Sequence, residues 1–193
     1  MINWKRVSFH PVVDLPDDYK VLDLTQGSWN SDKNEYSIGK YNEHRPNVYT
    51  TDLFEGVRNI HVGIDIGGPV GTPCMAFMDG KIYKFGYNSE AGDYGNVVIT
   101  EHQISGEIFW SLYGHLDSQS IKNKVEGQLV TKGEILGHFG AENENGGWEP
   151  HLHFQLSLIK PETHDLPGVV SNEDKELALK NYPDPRLVLG PIY

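Results

Sequence analysis

Two pairs of side chains in the sequence have the types and spacing to bind a divalent cation. In the stretch NIHVGIDIGGPVGTP, His61 and Asp65 lie four positions apart inside an apolar run. In HLHFQLSL, His151 and His153 alternate with apolar residues. Imidazole nitrogens and carboxylate oxygens are ligands of Zn²⁺, and three such ligands with one open position are typical of a catalytic zinc site.

The strand pattern of HLHFQLSL predicts that both histidines share one face. Successive side chains of a strand point to opposite faces, so the apolar set faces the core and the polar set faces away from it. The Cα atoms of His151 and His153 then lie about 6.6 Å apart. The apolar set is Leu152, Phe154, Leu156 and Leu158, and the polar set is His151, His153, Gln155 and Ser157.

His61 and Asp65 reach one ion only if the chain bends between them, because four extended residues span roughly 13 Å. Gly63 stands at the midpoint and permits such a bend. The residues alone leave open a second interpretation, in which His61 and Asp65 pair with each other in a buried network.

A third candidate, His115, ends the run EIFWSLYGH. The alternation predicts that it lies at a strand end, on the face opposite Trp110 and Leu112 and on the same face as Tyr113. Taken alone, His115 is equally compatible with a turn. The remaining histidines, among them His102, are predicted to occupy loops or strand edges.

The elements around these residues predict a mostly β fold. The 193 residues include 21 glycines and 11 prolines, and short β-rich runs such as GKIYKFGY, YGNVVITEH and PHLHFQLSL are bounded by turn residues. We expect a single domain, with a polar N-terminal wrap (1–58), a β core (59–160) and a C-terminal extension (161–193). VEGQLVTKGEILGHFG is typical of a small β-hairpin layer. SNEDKELALKNYP predicts one C-terminal helix of about three turns, with Ser171 or Asn172 as its N-cap.

Composition excludes several partners and ligand sets. Sixteen basic and 27 acidic residues give a net charge of −11, which disfavours nucleic acid and anionic membranes. Cys74 is the only cysteine, so neither an internal disulfide nor a cysteine-rich zinc site is possible. The sequence has no run of about 20 apolar residues and no secretory signal. These features predict a cytoplasmic location, or export if a leader has been removed.

Four pieces, HVGID, GTPCMAFMDGKI, YGHL and PHLHF, resemble in order and spacing the lysostaphin-type (LytM-like) zinc metallopeptidase family. The resemblance covers about residues 60–158. It implies a compact antiparallel β-sheet core with a groove, one Zn²⁺ bound by His61, Asp65 and His153, and cleavage of peptide cross-bridges or stem peptides in peptidoglycan. His115 and His151 match the two catalytic histidines of the family that do not bind the metal.

The sequence contains no H-E-x-x-H motif, whose glutamate is the base of many zinc proteases, so the resemblance leaves His115 and His151 as general base and oxyanion or leaving-group partner. Which of them takes which role stays open. From their nearness to the motifs, Asn96, Tyr113 and Trp148 are predicted to line the substrate groove. Tyr94 is placed there by the same argument.

A second resemblance runs through almost the whole chain. GAENENGGWEPHLHFQL, DLPGVV, YPDPRLVLG and LDLTQGS are similar to a peptidase-like domain found in large cytoplasmic proteins beside phosphotransferase and class III aminotransferase domains. Asn143, Glu144, Asn145 and Trp148 replace the short Gly/Ser/Thr-rich loop of typical wall-cutting members.

This second resemblance implies an alternative substrate, a small amide outside the cell wall. Two further alternatives are a non-catalytic binding module of the same fold and a sugar-phosphotransferase phosphocarrier, since HVGID also resembles a segment of that family.

Overall fold

The computed structural model describes residues 2–27 and 35–193, so residues 28–34 of the predicted N-terminal wrap, including the end of LDLTQGS, lie outside the described residues. Its centre is an eight-stranded sheet in which every pair is antiparallel except β1 and β2. The predicted mostly β fold is thereby confirmed. In spatial order the strands are β1 (Lys20–Val21), β2 (Ser37–Gly39), β5 (Ile64–Gly67), β12 (His151–Ser157), β9 (Glu107–Leu116), β8 (Gly95–Ile104), β7 (Gly80–Asn88) and β10 (Leu129–Val130).

Two smaller sheets flank the main one. One joins β6 (Pro73–Met75) to β11 (Ile135–His138), and the other has the order β13 (Val169–Val170), β4 (Ile60–His61) and β3 (Glu43–His44). The predicted hairpin in VEGQLVTKGEILGHFG was wrong, because β10 pairs with β7 whereas β11 pairs with β6. Alternation and glycines identify strands but carry no information on which strand is the partner.

The predicted parity of β12 is confirmed on its apolar face. Leu152, Phe154 and Leu156 are fully buried in the main core, whereas Leu158 lies beyond the strand and is 40 % exposed. The histidine face of β12 is also buried, because the segment 159–170 crosses it. Gln155, for example, donates a hydrogen bond from Nε2 to the carbonyl oxygen of Pro167.

The terminal segments pack onto this core. In the N-terminal segment, a 3₁₀ turn (Trp4–Arg6) places the Trp4 ring edge-on against Phe109 at 4.8 Å, and Val12 and Val13 are buried in the main core. This segment therefore contributes to the core as well as covering it, and it adds β1 and β2 to the sheet edge.

The described residues also contain three short α-helices and a second 3₁₀ turn. They are α1 (Ser118–Ile121), α2 (Lys175–Asn181), α3 (Arg186–Leu189) and the 3₁₀ turn Asp52–Phe54. The predicted C-terminal helix is α2, but it has seven residues and its N-cap is Asp174. The hydroxyl of Ser171 accepts from the Asp174 backbone N–H, so this serine stabilises the turn before the helix. Within the described residues, no helix is long and apolar enough to cross a membrane.

His102 lies within β8 of the main sheet and is buried, contrary to its predicted place in a loop or at a strand edge. Its Nε2 lies 2.7 Å from the Thr100 hydroxyl, and its Nδ1 lies 3.0 Å from the carbonyl oxygen of Asp79. Burial lowers its pKa from 6.5 to about 4. As the pH falls from 6.5 toward 4, His102 is protonated in the unfolded chain but stays neutral in the folded protein. The free energy of unfolding therefore decreases over this pH range.

We expect His102→Gln to reduce the acid sensitivity of the fold. At pH 5 the protonation of His102 in the unfolded chain costs wild type about 2 kcal/mol relative to pH 7.5. Urea unfolding of the metal-free protein at both pH values measures this loss, and His138→Gln, at a histidine whose side chain is 41 % exposed, is the control. Equal losses for wild type and His102→Gln would contradict the assignment.

Candidate metal centre and active site

Three side chains from three strands bring their ligand atoms to one point. His61 ends β4, Asp65 lies in β5 and His153 lies in β12. The Nε2 atom of His61 lies 3.1 Å from Nδ1 of His153, and Oδ1 of Asp65 lies 3.2 Å and 3.1 Å from these two nitrogens. Ligands of a tetrahedral zinc ion with bonds of 2.0–2.1 Å stand about 3.3 Å apart, so the three atoms fit one small cation.

The predicted bend between His61 and Asp65 is present. The chain leaves the small sheet after His61, passes Val62 and Gly63, and enters the main sheet at β5. A Cβ atom at Gly63 would lie 2.4 Å from the ring of His153. The lack of a side chain at Gly63 therefore permits the close approach of the third ligand.

We expect Gly63→Ala to displace the His153 ring and weaken zinc binding by at least about tenfold. Gly68→Ala is the matched control, because its Cβ would meet the ring of the half-buried Tyr36 at 3.0 Å and would not touch the ligands. Zinc affinity by chelator competition distinguishes the two variants. Equal affinities would show that the site tolerates a displaced backbone at Gly63.

Hydrogen bonds from the outer nitrogens assign the tautomer of each ligand imidazole. His61 donates from Nδ1 to the carbonyl oxygen of Lys40 at 2.9 Å, which leaves Nε2 as its ligand atom. His153 donates from Nε2 to the side-chain oxygen of Gln155 at 3.0 Å, which leaves Nδ1. Such outer partners orient metal-binding histidines and raise their basicity.

The protonation states suit a cation. Burial lowers the pKa of His61 to about 4, so this imidazole is neutral at pH 7. The pKa of Asp65 is well below its usual range because its contacts with His61 and Arg45 outweigh the effect of burial. Two neutral imidazoles and one carboxylate are the donor set that a divalent zinc ion takes.

His115 and His151 lie side by side next to this centre, with ring centroids 4.2 Å apart. His115 donates from Nδ1 to the carbonyl oxygen of Asn145 at 2.7 Å, and His151 donates from Nδ1 to that of Glu149 at 2.6 Å. Each imidazole thus has Nε2 as its proton-accepting nitrogen. Burial lowers the pKa of both, so they are neutral at pH 7 and able to act as bases.

His115 lies on the opposite face from the one that strand parity predicts. Its φ is +63°, and the pairing of β8 with β9 shifts register between Asn96 and Val98. The shift turns His115 toward His151, whereas Tyr113 keeps the regular alternation and points into the main core. A simple period of two cannot represent such a local reversal.

Four of these five residues border a cavity of about 500 Å³. His115, His151, His153 and Asp65 line it directly, while His61 lies behind them, 1 % exposed. Its other walls come from residues between 45 and 58, from Tyr94 and Trp148, and from residues 159–169.

The predicted groove residues divide into two groups. Trp148 and Tyr94 line the cavity, and the indole Nε1 of Trp148 is buried without a hydrogen-bond partner among the described residues. Asn96 and Tyr113 do not line it. Asn96 is 2 % exposed and donates to the carbonyl oxygens of Leu116 and Glu144, so it fixes a loop. Tyr113 is fully buried and donates to the carbonyl oxygen of Met75.

Sequence reasoning missed three contacts of the site. Arg45 and Tyr49 come from the segment predicted to be a polar wrap, and Gln155 was assigned only to the polar face of β12. Arg45 donates from Nη1 to Oδ2 of Asp65 at 2.7 Å and to the hydroxyl of Tyr49 at 2.9 Å. A signal for Gln155 was present, because Gln155 lies two residues after His153 and therefore on the same face of β12.

This combination of sheet and ligand set is that of a metallopeptidase domain. Residues 59–165 match Peptidase family M23, which covers more than half of the chain, and the protein belongs to that family. The resemblance to lysostaphin-type peptidases is thereby confirmed.

Similar proteins from two bacteria illustrate the relationship. The chain is 38 % identical over 99 residues to DD-carboxypeptidase/endopeptidase Mpg of Neisseria meningitidis, covering 51 % of this chain and 20 % of Mpg. It is 32 % identical over 115 residues to peptidoglycan DD-endopeptidase ShyC of Vibrio cholerae, covering 58 % and 24 % of the two proteins. The matched region is thus about a fifth to a quarter of each relative's length.

The catalytic domain of lysostaphin from Staphylococcus simulans has a similar structure, with a TM-score of 0.53 at 24 % identity. The match covers 81 % of this chain and 93 % of that domain, and at this identity it shows the fold alone.

Proposed function

We propose that the protein is a zinc-dependent endopeptidase that hydrolyses a peptide bond of peptidoglycan, in a cross-bridge or a stem peptide. The observation that carries this proposal is the convergence of His61, Asp65 and His153 on one point, with His115 and His151 beside it in the same cavity. The names of the relatives Mpg and ShyC support a wall substrate.

Zinc bound to the three ligand atoms would supply a Lewis acid for the scissile carbonyl and lower the pKa of a water molecule. His151 is the nearer of the two other histidines, with Nε2 3.8 Å from Oδ1 of Asp65, and we assign it the role of general base. His115 then faces the developing oxyanion or the leaving amine.

Two arguments support a catalytic site over a binding module. All five side chains of the family pattern are present and converge, whereas a binding module has no need for two neutral imidazoles beside a metal centre. The backbone acceptors at Asn145 and Glu149 hold both imidazoles in the tautomer that accepts a proton at Nε2.

A second candidate function is hydrolysis of a smaller amide outside the cell wall. Residues 159–169 and 45–58 form walls around the centre and bound a cavity of about 500 Å³, a volume that suits a short substrate. The chemistry is the same in both cases, so the candidates differ only in the substrate.

Hydrolysis of a defined panel tests the proposal. Zinc-loaded protein is incubated with cross-linked muropeptides containing D-alanine, with oligoglycine and with ordinary L-peptides, and the products are identified by mass spectrometry. We expect cleavage of one wall-derived class and none after chelation. Cleavage confined to small L-peptides would favour the second candidate, and no cleavage of any substrate by zinc-loaded protein would favour a binding module.

A further inference from the structure

Arg45 is a fully buried cation next to the candidate metal ligands, with 1 % of its surface exposed. A buried charge is costly unless it is paired and hydrogen-bonded. Its Nη1 donates to Oδ2 of Asp65 at 2.7 Å and to the Tyr49 hydroxyl at 2.9 Å. Its Nε donates to Oε2 of Glu43 at 2.9 Å, and its Nη2 donates to the carbonyl oxygen of Lys40 at 3.1 Å. Four hydrogen bonds therefore hold this guanidinium in one orientation.

The two oxygens of Asp65 consequently face different partners. Oδ2 accepts from Arg45, whereas Oδ1 lies 3.1–3.2 Å from the ligand nitrogens of His61 and His153. A carboxylate without this contact can rotate and offer both oxygens to a cation. The position of Arg45 leaves Asp65 a single oxygen for the metal.

Glu43 makes this arrangement compatible with a bound cation. Its carboxylate is buried, with the side chain 3 % exposed, and accepts from Nε of Arg45, whereas Asp65 accepts from Nη1. The charges of Glu43, Arg45 and Asp65 alternate in sign. The negative charge of Glu43 therefore offsets the positive charge of Arg45, which would otherwise repel a cation at the metal centre.

Backbone packing preserves the contact between Arg45 and Asp65. A Cβ atom at Gly39 in β2 would lie 2.8 Å from Nη2 of Arg45 and 3.1 Å from Oδ2 of Asp65. The absence of a side chain at this position leaves room for the guanidinium directly against the strand that carries the metal ligand.

We propose that Arg45 is a positioning residue of the metal centre, which holds Oδ2 of Asp65 and so restricts this ligand to one metal-facing oxygen. The inference rests on the metal site of the proposed function but concerns ligand geometry, independent of the substrate. It predicts that metal affinity and coordination depend on a residue that does not itself touch the metal.

Two variants test the inference. Arg45→Lys keeps the charge but lacks the planar fork that serves Asp65, Tyr49 and Glu43 together. The double variant Glu43→Gln/Arg45→Met removes one buried charge of each sign, so the net charge of the buried cluster stays the same. Arg186→Met is the matched control, because Arg186 pairs with Asp184 at the same 2.7 Å and both lie outside the cavity lining.

The measurements are zinc affinity by chelator competition and the visible spectrum of the cobalt-substituted protein, which reports coordination number. We expect zinc to bind about 10- to 100-fold more weakly in both variants, and the cobalt bands to lose intensity as Asp65 offers its second oxygen. The control should match wild type in both measurements. These readouts do not depend on peptide hydrolysis.

Wild-type affinity and spectrum in either folded Arg45 variant would overturn the inference and leave the proposed function intact. A wild-type protein that binds neither zinc nor cobalt would overturn both. A double variant that stays unfolded even with excess zinc would assign Arg45 to fold stability, and would likewise overturn the positioning role.

Discussion

Asp65→Asn is expected to lower zinc affinity by at least about 100-fold and to abolish peptide hydrolysis. Asparagine has the shape of aspartate, and its side-chain oxygen can still accept the hydrogen bond from Arg45. It lacks the negative charge that two neutral imidazoles cannot replace. Structural zinc sites with four ligands bind with roughly 10–16 kcal/mol, so one ligand accounts for about 2.5–4 kcal/mol. A 100-fold loss of affinity corresponds to about 2.8 kcal/mol.

Elemental analysis after reconstitution and dialysis measures this effect. Wild type should retain close to one zinc per chain, and His61→Ala should behave like Asp65→Asn. His138→Ala is the control, because His138 lies in β11 with its side chain 41 % exposed and outside the metal centre. Full zinc content in Asp65→Asn would exclude the carboxylate as a ligand, and a zinc-free wild type would exclude the whole site.

Local rules singled out the candidate metal ligands, and the family resemblance joined them into one set. The alternation in HLHFQLSL places His153 on a defined strand face, and the 13 Å span of four extended residues requires the bend at Gly63. Both rules hold in the structure. The convergence of the two segments depends on the pairing of β5 with β12, in which Asp65 stands opposite His153. Local spacing does not encode that pairing, and it came from the family resemblance.

The errors arise where the backbone departs from a regular period. His115 has a positive φ at the end of a strand with a register shift, so parity assigned it to the wrong face and placed Tyr113 beside it. The environment of Asp65 was missed for a different reason. Glu43 and Arg45 come from a charged, aperiodic segment, and charged residues are rarely buried unless paired. Only the fold shows that these two are paired with each other and with a metal ligand.

His151→Asn and His115→Asn are each expected to keep zinc but to lower kcat by about 10²- to 10⁴-fold. Asparagine retains a donor near the position of Nδ1, so the hydrogen bond to the Glu149 or Asn145 carbonyl is preserved. It has no basic nitrogen, so it can neither accept the water proton nor, once protonated, pass a proton to the leaving amine. KM should change little, because neither side chain is required to hold the substrate.

Zinc content, kcat and KM of both variants on the cleaved substrate test this division of roles. His138→Ala again serves as the control for the loss of a histidine outside the cavity. If His151→Asn loses more activity than His115→Asn, the assignment of His151 as general base is supported, since its Nε2 lies closer to the ligand carboxylate. The reverse order would exchange the two roles. Unchanged kcat in both zinc-loaded variants would remove the paired histidines from the mechanism and require a base elsewhere in the cavity.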